Sequence, residues 1–451
     1  MSLTALFVVG ILWGVCSQVG AQSLTSAQVS VISDRLAEGA AYSWEFGTRA
    51  EALLELNAPS YSVMSHNPIP PPQSIALNLN TALDEVFTIA QNIVANRSIS
   101  NGNITGPQPL IKDGSAGDPA SIGVAVLLAN WTGQGATDGL NYAGAARDQL
   151  DFLLQNVTRT SDGALSHRID QLQLWSDFVY MVPPFLAYYG VLTQNETILS
   201  EAYTQISLYR NYLLDTTAGN LWKHIQLGQT GNDNGHWSTG NAWAAAGMIR
   251  VLATIQRSQY ANSFESQQTD LTNWVREIHG GMYSLINSNG LFYNYADNSS
   301  TFYDSSSTAL LASTVYRLSL LRNVHTYLPL AEQSRKALSA PAGTTISITT
   351  TATSPAQSTT SSAPPATDTS TPGMLHLTSE GWLTPVADPY AYGAQGSDSP
   401  EGQAFILEMQ AAWRDWVADG AKGANSAREA DPHVFLLGAI GALPWLMIIV
   451  C

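Results

Sequence analysis

The sequence has 451 residues, with 19 Lys and Arg against 35 Asp and Glu, and a formal net charge of −16 at pH 7. This acidic balance argues against binding to nucleic acids or to anionic membrane surfaces, because both attract basic proteins. The two cysteines, Cys16 and Cys451, lie in terminal segments that we expect to be removed, which leaves no disulfide and no cysteine metal site. A secreted chain without disulfides needs a large core, and this length can supply one.

Both ends of the sequence carry targeting patterns. Residues 1–21 contain an apolar run that ends in Val19-Gly20-Ala21, which is typical of a secretory signal peptide. Residues 421–451 combine small residues, a polar spacer and an apolar tail, in the order typical of a GPI-anchor signal. A C-terminal membrane span is the alternative, but no basic residue follows the tail. We therefore predict a secreted protein, GPI-anchored to the cell surface or cell wall and linked to a membrane only through this anchor or tail.

The sequence also contains several acceptor sites for N-glycosylation. Because a glycan must be attached at the surface, each of these asparagines should be exposed. The sites are Asn96, Asn103, Asn130, Asn156, Asn195 and Asn298.

Between the two ends, apolar residues recur mainly at helical spacing. The predicted helices cover residues 28–56 (one helix or two), 77–95, 120–130, 142–155, 185–192, 198–214, 242–256, 269–286, 307–321 and 401–416. Almost no alternation of period two is bounded by hairpin turns. This series predicts an all-α fold, an (α/α)6 barrel of six helical hairpins. An irregular helical domain or a solenoid is the alternative, although a solenoid should show a fixed sequence period, and none is found.

One segment differs in composition from the rest. Residues 339–373 are mostly Ser, Thr, Pro and Ala, which cannot build a core and are typical of a disordered, O-glycosylated stretch. We interpret it as an insert between the first part of the barrel, residues 22–338, and the last barrel helix region, residues 374–420. The alternative places the helix at 401–416 outside the barrel, as a stalk.

Asp177 is the first candidate for chemistry. It lies in LWSDFVYMVPPF, just before Pro183, where a helix is expected to begin. Aromatic neighbours would desolvate its carboxyl group, raise the pKa and preserve a proton for general acid catalysis. The alternative role is a helix N-cap. Asp118 and Asp304 also precede predicted helices as possible caps, and helix starts that converge at one end of a barrel would bring these carboxylates together.

The stretch 223–248, KHIQLGQTGNDNGHWSTGNAWAAAGM, is a second candidate. Its glycines and Asn-Asp-Asn run predict a turn-rich loop, followed by a helix of small residues that can approach its neighbours closely. His224, His236, Trp237 and Trp243 suit a sugar, since indoles stack on pyranose rings and imidazoles bind hydroxyl or carboxylate groups. The alternative is a surface loop whose tryptophans fill the core.

The motifs LWSDFVYMVPPFLAYYG, HWSTGNAW, DSSSTALLA and SPEGQAFILEMQAAW together resemble the unsaturated uronyl hydrolases, which include glycoside hydrolase families 105 and 88. The resemblance spans roughly residues 44–416 without the insert. It implies an (α/α)6 barrel, no metal and no cofactor. It also implies an oligosaccharide substrate with a 4,5-unsaturated uronic acid at its non-reducing end, derived from pectin or rhamnogalacturonan, and hydration of that double bond.

The resemblance further implies roles for individual residues. Asp177 matches the acid/base residue of the family, and Asp118 matches a second aspartate. The substrate-binding residues of the family match Trp44, His224, Gln229 and Trp243, to which the loop composition adds His236.

One position departs from the family pattern. Relatives have Arg-Gly-Asn/Gln-x-Trp where this sequence has Thr239-Gly240-Asn241-Ala242-Trp243. An arginine can bind a carboxylate with two parallel hydrogen bonds, and threonine cannot. His236, Lys223 or Arg168 could supply the missing charge, or the substrate lacks the usual uronate.

Two other functions are open on the sequence. One is a six-hairpin mannan-active hydrolase, which is expected to contain two adjacent aspartates, a pair that this sequence lacks. The other is a GPI-anchored sugar-binding or cell-wall protein that has kept the barrel and lost the reaction.

Overall fold

The computed structural model describes residues 22–102, 106–344 and 373–424. The predicted signal peptide, most of the insert and the apolar C-terminal tail lie outside these residues. The helices within them are α1 (Ser26–Gly39), α2 (Ser43–Asn57), α3 (Asn80–Ser100), α4 (Gly123–Trp131), α5 (Gly135–Asp138), α6 (Tyr142–Gln155), α7 (Phe178–Met181), α8 (Pro183–Leu192), α9 (Glu196–Leu213), α10 (Ser238–Arg257), α11 (Glu265–Tyr283), α12 (Ser305–Arg322), α13 (Leu328–Leu338) and α14 (Pro400–Ala418).

Six of these helices form a closed inner ring. Helices α2, α4, α8, α10, α12 and α14 each pack on the next, and α14 packs back on α2. Helices α3, α6, α9, α11 and α13 pack outside the ring, each against the inner helix that precedes it in the chain, and α1 packs outside against α14. The predicted (α/α)6 barrel is therefore confirmed, and the solenoid alternative is wrong because the ring closes.

The composition of the helices explains their positions. In α8, α10 and α12 nearly every residue is buried, as expected for helices surrounded by others, whereas α6 and α11 keep an exposed polar face. In α10 a Cβ at Gly247 would collide with the carbonyl oxygen of Val179, and one at Gly240 would collide with Ser176. The small residues of this helix thus allow the close approach that the sequence predicts.

Predicted and observed helix limits agree best where the apolar period is clear. The segment 142–155 coincides with α6, and the segment 28–56 divides into α1 and α2. Helix α13 was not predicted.

Helix α14 belongs to the inner ring, so the stalk alternative is wrong. Pro341, near the start of the predicted insert, forms a backbone bridge with Met374, just after its end, so the described residues on either side of positions 345–372 lie next to each other.

Short strands occupy several loops that lead into inner helices. They are β1 (Leu174–Trp175), β2 (Leu214–Asp215), β3 (Leu221–Trp222), β4 (Ile225–Gln226), β5 (Phe292–Tyr293), β6 (Tyr303–Asp304), β7 (Val386–Asp388) and β8 (Ala391–Gly396). They form four antiparallel pairs, β1 with β4, β2 with β3, β5 with β6 and β7 with β8. Most contain only two residues, too few for an alternating pattern to appear in the sequence.

The predicted glycosylation sites that the structure describes are all exposed. They are Asn96, Asn130, Asn156, Asn195 and Asn298. Asn103 lies outside the described residues. No helix in the described ranges has the length and apolar character needed to cross a membrane.

An ionic network fills part of the barrel interior. Arg250 of α10 donates to Glu51 and Glu55 of α2 at 2.7 Å and to Glu408 of α14 at 2.9 Å. The hydroxyl of Tyr180 also donates to Glu408, at 2.9 Å. All four charged side chains are almost completely buried, so the network joins three inner helices at a place where water cannot replace its contacts.

Candidate active site

The inner helices all begin at the same end of the barrel, and each brings a polar or aromatic side chain to it. Hydrogen bonds and charge interactions connect these starts to one another. The side chains are Trp44 at α2, Asp118 in the 3-10 turn before α4, Asp177 before α7 and α8, Trp237 before α10, Asp304 before α12 and Glu401 in α14. The predicted convergence of helix starts is confirmed.

Asp177 occupies the N-cap position of α7 but makes no capping hydrogen bond with its side chain. Its carboxylate accepts a hydrogen bond from Ser176 Oγ at 3.1 Å and lies 3.5 Å from His224 Nε2, an ion-pair distance. The side chain keeps 14% exposure, enough to meet a substrate. The capping alternative for Asp177 is therefore wrong, whereas Asp304 does cap its helix, accepting from Ser306 N and Ser307 N.

His224 lies between two carboxylates. Its Nδ1 is 3.0 Å from Asp233 Oδ2, and its Nε2 faces Asp177. Asp233 is itself held by the hydroxyl of Tyr295, which donates at 2.6 Å, and by Gly235 N at 2.9 Å. The result is a fixed row, Tyr295–Asp233–His224–Asp177, in which the imidazole is hydrogen-bonded to Asp233 and lies at an ion-pair distance from Asp177.

Aromatic rings enclose this imidazole. The ring centroids of Trp237, Tyr392 and Trp175 lie 4.5, 4.4 and 5.3 Å from that of His224. His224 is completely buried. Low polarity around the row strengthens its charge interactions, because little water is present to screen them.

The charges set the protonation state of Asp177. Burial acts to raise its pKa, but the hydrogen bond and the charge of His224 oppose burial and bring the pKa below its ordinary value. For His224, burial acts to lower the pKa, but Asp177 and Asp233 raise it above the ordinary value. The prediction that Asp177 keeps a proton because it is desolvated is wrong, since the sequence does not reveal that a cation faces it. Asp177 is ionised at neutral pH.

Asp118 behaves in the opposite way. Its carboxyl group lies 3.4 Å from His167 Nε2, and the structure shows no side-chain cap at this helix start, so the predicted N-cap is wrong. Burial raises its pKa well above the ordinary value, and the charges of Asp113 and Asp177 add to this effect. Burial also lowers the pKa of His167 to about 4, so this imidazole is neutral at pH 7. The pKa of Asp118 is therefore shifted upwards, whereas that of Asp177, whose charge contributes to this shift, is lowered.

A third acidic group lies at the start of α14. Trp44 Nε1 donates to Glu401 Oε2 at 3.0 Å. Burial raises the pKa of Glu401 well above its ordinary value, helped by the charges of Glu45, Asp177 and Asp304. The predicted substrate residue Trp44 thus lies beside the acidic cluster, partly exposed.

Comparison with known proteins agrees with this architecture. The model of glycosyl hydrolase family 88 matches residues 85–355, more than half of the chain. The chain belongs to glycosyl hydrolase family 88. The family match includes Asp118, Asp177 and the whole loop from Lys223 to Met248. A comparison with curated proteins finds no match.

Solved structures share the fold of this family 88 protein. A possible member of family 105 from Klebsiella pneumoniae superposes with a TM-score of 0.63 at 13% identity, covering 92% of this chain and 100% of the other. A family 88 glycosyl hydrolase from Bacteroides vulgatus gives 0.56 at 14%, covering 87% and 100%. An unsaturated glucuronyl hydrolase specific for heparin gives 0.53 at 12%, covering 87% and 97%. At these identities the likeness establishes the six-hairpin fold.

Three predicted substrate residues of this family 88 chain do not join the cluster. Trp243 is 1% exposed and packs between Tyr180 and Phe405 in the core. Because its ring has no free face for a sugar, its predicted stacking role is wrong in this structure. His236 Nδ1 lies 2.7 Å from Asp297, with Nε2 turned towards Asp215. Gln229 lies exposed on the rim, where its backbone N donates to Gln171.

The position that departs from the family pattern is also accounted for. Thr239 is buried, and its hydroxyl donates to Asp304 Oδ2 at 2.8 Å. It therefore supports the cap of α12 and does not face a substrate. Two cations were suggested as replacements for the family arginine. Lys223 forms an ion pair with Asp215 at 3.6 Å. Arg168 forms one with Asp170 at 3.4 Å, and its charge also acts to lower the pKa of Asp118.

Several residues of the site were missed by sequence reasoning. Asp233 was interpreted only as a turn residue, Trp175 only as an aromatic neighbour, and Tyr392 was not considered. The run Pro389-Tyr390-Ala391-Tyr392-Gly393, with tyrosines two residues apart beside Pro and Gly, was the available signal for an aromatic hairpin.

Within the residues that the structure describes, no three His, Cys, Asp or Glu side chains gather into a metal-binding group.

Proposed function

We propose that this hydrolase adds water to the C4=C5 double bond of an unsaturated uronic acid at the non-reducing end of a pectin- or rhamnogalacturonan-derived oligosaccharide. The observation that carries the proposal is the pair Asp118 and Asp177. The pKa of Asp118 is raised and that of Asp177 is lowered, and two interacting carboxyl groups shifted in opposite directions can act as one acid and one base. The fold-level likeness to an unsaturated glucuronyl hydrolase agrees with this reaction.

The reaction follows from this protonation state. The carboxylic acid of Asp118 gives its proton to C4, and positive charge develops at C5 and the ring oxygen. Asp177 takes a proton from the water that attacks C5, which yields a hemiketal. Ring opening then leaves a hemiacetal at C1, which releases the rest of the oligosaccharide as an alcohol. Asp177 returns its proton to Asp118, so the pair ends as it began.

The surroundings support a cationic transition state. The carboxylate of Asp177 is ionised, and preorganised negative charge in a site of low polarity stabilises developing positive charge. His224 fixes the orientation of Asp177 by facing its Oδ2. The rings of Trp175 and Tyr392, both partly exposed, form an aromatic wall on which a sugar ring can stack.

The direct test uses the wild-type protein and disaccharides made by polysaccharide lyases. Hydration removes the double bond, so the ultraviolet absorbance of the substrate should fall as a saturated product and a free sugar appear. Both the free uronate and its methyl ester are assayed, because Thr239 leaves the recognition of the carboxyl group open. If sugars are released while the absorbance stays constant, the protein is a hydrolase of another kind and the proposal is wrong.

We propose further that the protein is secreted and held at the cell surface by a lipid anchor. The terminal patterns and the exposed acceptor asparagines support this location. Treatment of intact expressing cells with a phospholipase that cleaves GPI anchors should release the enzyme into the medium. Retention after treatment, together with extraction only by detergent, would instead identify the C-terminal tail as a membrane span.

A further inference from the structure

An exposed group of aromatic side chains lies beside the acidic cluster. Tyr42 and Tyr390 are 46% and 56% exposed, which is unusual for large rings in this otherwise well-buried fold. Their centroids are 4.7 Å apart, and the ring of Trp44 stacks on Tyr42 at 5.1 Å. We name these three residues the aromatic platform.

The aromatic platform is continuous with the proposed catalytic centre through two connections. Trp44 donates to Glu401, and the pKa of Glu401 responds to the charge of Asp177. In addition, the β7–β8 hairpin carries Tyr392 against His224 and Tyr390 on the platform. Tyr390 and Tyr392 are two residues apart on this hairpin, which separates them by about 6.6 Å along the chain, a distance comparable with one sugar unit.

We propose that the aromatic platform is a second sugar subsite, which binds the part of the oligosaccharide that the reaction releases. The inference rests on the proposed function, because it places the reacting ring at Tyr392 and the next ring on Tyr390 and Tyr42. Exposed aromatic rings gain from covering the apolar C–H face of a pyranose.

The charge around the platform selects the kind of sugar. Glu45 and Glu401 lie beneath it, and Asp388 accepts a hydrogen bond from Tyr390 N at 2.8 Å. The platform residues carry no positive charge, so a carboxylate on the bound ring would lose water there without gaining a countercharge. The subsite therefore favours a neutral hexose over a second uronate.

The test compares the methyl glycoside of the unsaturated uronic acid, which has no second ring, with unsaturated di- and trisaccharides whose released part is neutral. In the wild-type protein, kcat/KM should increase with length as the platform becomes occupied. Tyr390→Ala should lower kcat/KM for the di- and trisaccharides by about threefold to tenfold, mainly through KM, and leave the methyl glycoside nearly unchanged. Tyr390→Phe should keep the wild-type values, since the ring and not the hydroxyl makes the contact.

Tyr390 is the better target than Tyr42, because Tyr42 is also the N-cap residue of α2. Leu77→Ala is the matched control, since Leu77 is 89% exposed and lies outside the platform. Equal kcat/KM at all lengths, with no effect of Tyr390→Ala, would overturn the platform and leave the hydration reaction intact.

A binding experiment separates the two proposals. Saturated neutral tetrasaccharide should quench tryptophan fluorescence in the wild-type protein and in Leu77→Ala, and bind more weakly to Tyr390→Ala. If this binding occurs while no unsaturated substrate is turned over, the proposed reaction is wrong and the platform stands. Absence of binding together with turnover that is independent of length would refute the platform alone.

Discussion

Asp177→Asn is expected to lower kcat on unsaturated disaccharides by about 10³-fold, because an amide cannot accept a proton from the attacking water. The change keeps the size of the side chain, and Ser176 Oγ can still donate to its remaining oxygen. The loss should therefore appear in kcat more than in KM. It is measured from the initial rate of absorbance loss, with the melting temperature as a check of folding.

The matched control is Asp297→Gln, since asparagine at this position would create an acceptor site for N-glycosylation with Ser299. Asp297 forms a comparable carboxylate–imidazole pair at 2.7 Å, but with His236, outside the row that contains Asp177. Its replacement should change kcat by less than about threefold, whereas the loss of a general base lowers kcat by a much larger factor. If Asp177→Asn keeps more than a tenth of the wild-type activity, Asp177 is not the base of the reaction.

The same two carboxyl groups determine the pH dependence of the rate. Activity requires Asp177 ionised, at a pH above its lowered pKa, and Asp118 protonated, at a pH below its raised pKa. The profile of kcat/KM should therefore be a bell. Asp233→Asn removes one of the charges that hold the proton on His224, so it should shift the acidic limb to higher pH. An acidic limb that does not move would show that His224 leaves the pKa of Asp177 unchanged.

Local sequence patterns predicted the barrel well because each inner helix has a strong local signature. The small residues from Ala242 to Val251 implied close packing, and α10 indeed lies against Val179. The aspartates at helix starts implied convergence, which follows from alternating inner and outer helices. Such features depend on neighbours in sequence, or on the topology that those neighbours impose.

The protonation states could not be predicted in the same way. The pKa of Asp177 depends on His224, which is distant in sequence, and the charge of His224 depends in turn on Asp233. Trp243 illustrates the same limit. Its motif matches that of a sugar-stacking residue, but the rings that cover it, Tyr180 and Phe405, come from other helices. Burial and charge at a site are tertiary properties, so a motif identifies candidates without fixing their state.

Arg250→Met is the substitution with the largest expected effect on stability. Methionine fills a similar volume but leaves Glu51 and Glu408 without their cation, whereas Glu55 keeps its ion pair with Arg317 at 2.7 Å. Removing one partner from a buried ion pair costs about 3–5 kcal/mol. The free energy of unfolding, measured in urea, should fall by this amount at pH 8. Arg147→Met is the control, since the ion pair of Arg147 with Asp151 is exposed and is expected to contribute less than about 1 kcal/mol.

The pH dependence of this loss distinguishes charge from packing. In the wild-type protein, burial already raises the pKa of Glu408 to about 8, although Arg250 opposes the shift. Without Arg250 the buried glutamates should titrate at still higher pH. A group with a raised pKa in the folded state stabilises the fold when protonated, and this contribution disappears as the pH rises through that pKa. The variant should therefore be closer to wild type at pH 5 than at pH 8.

A loss of equal size at both values of pH would mean that Arg250 acts through its shape alone. The outcome matters for the active site as well as for the fold. Tyr180, three residues after Asp177, donates to Glu408, and its ring lies 4.9 Å from the guanidinium carbon of Arg250. The network thus anchors α7, the helix whose first residue follows Asp177. We expect Arg250→Met to lower kcat at pH 8 even at temperatures where the protein remains folded, because the base loses its fixed position opposite His224.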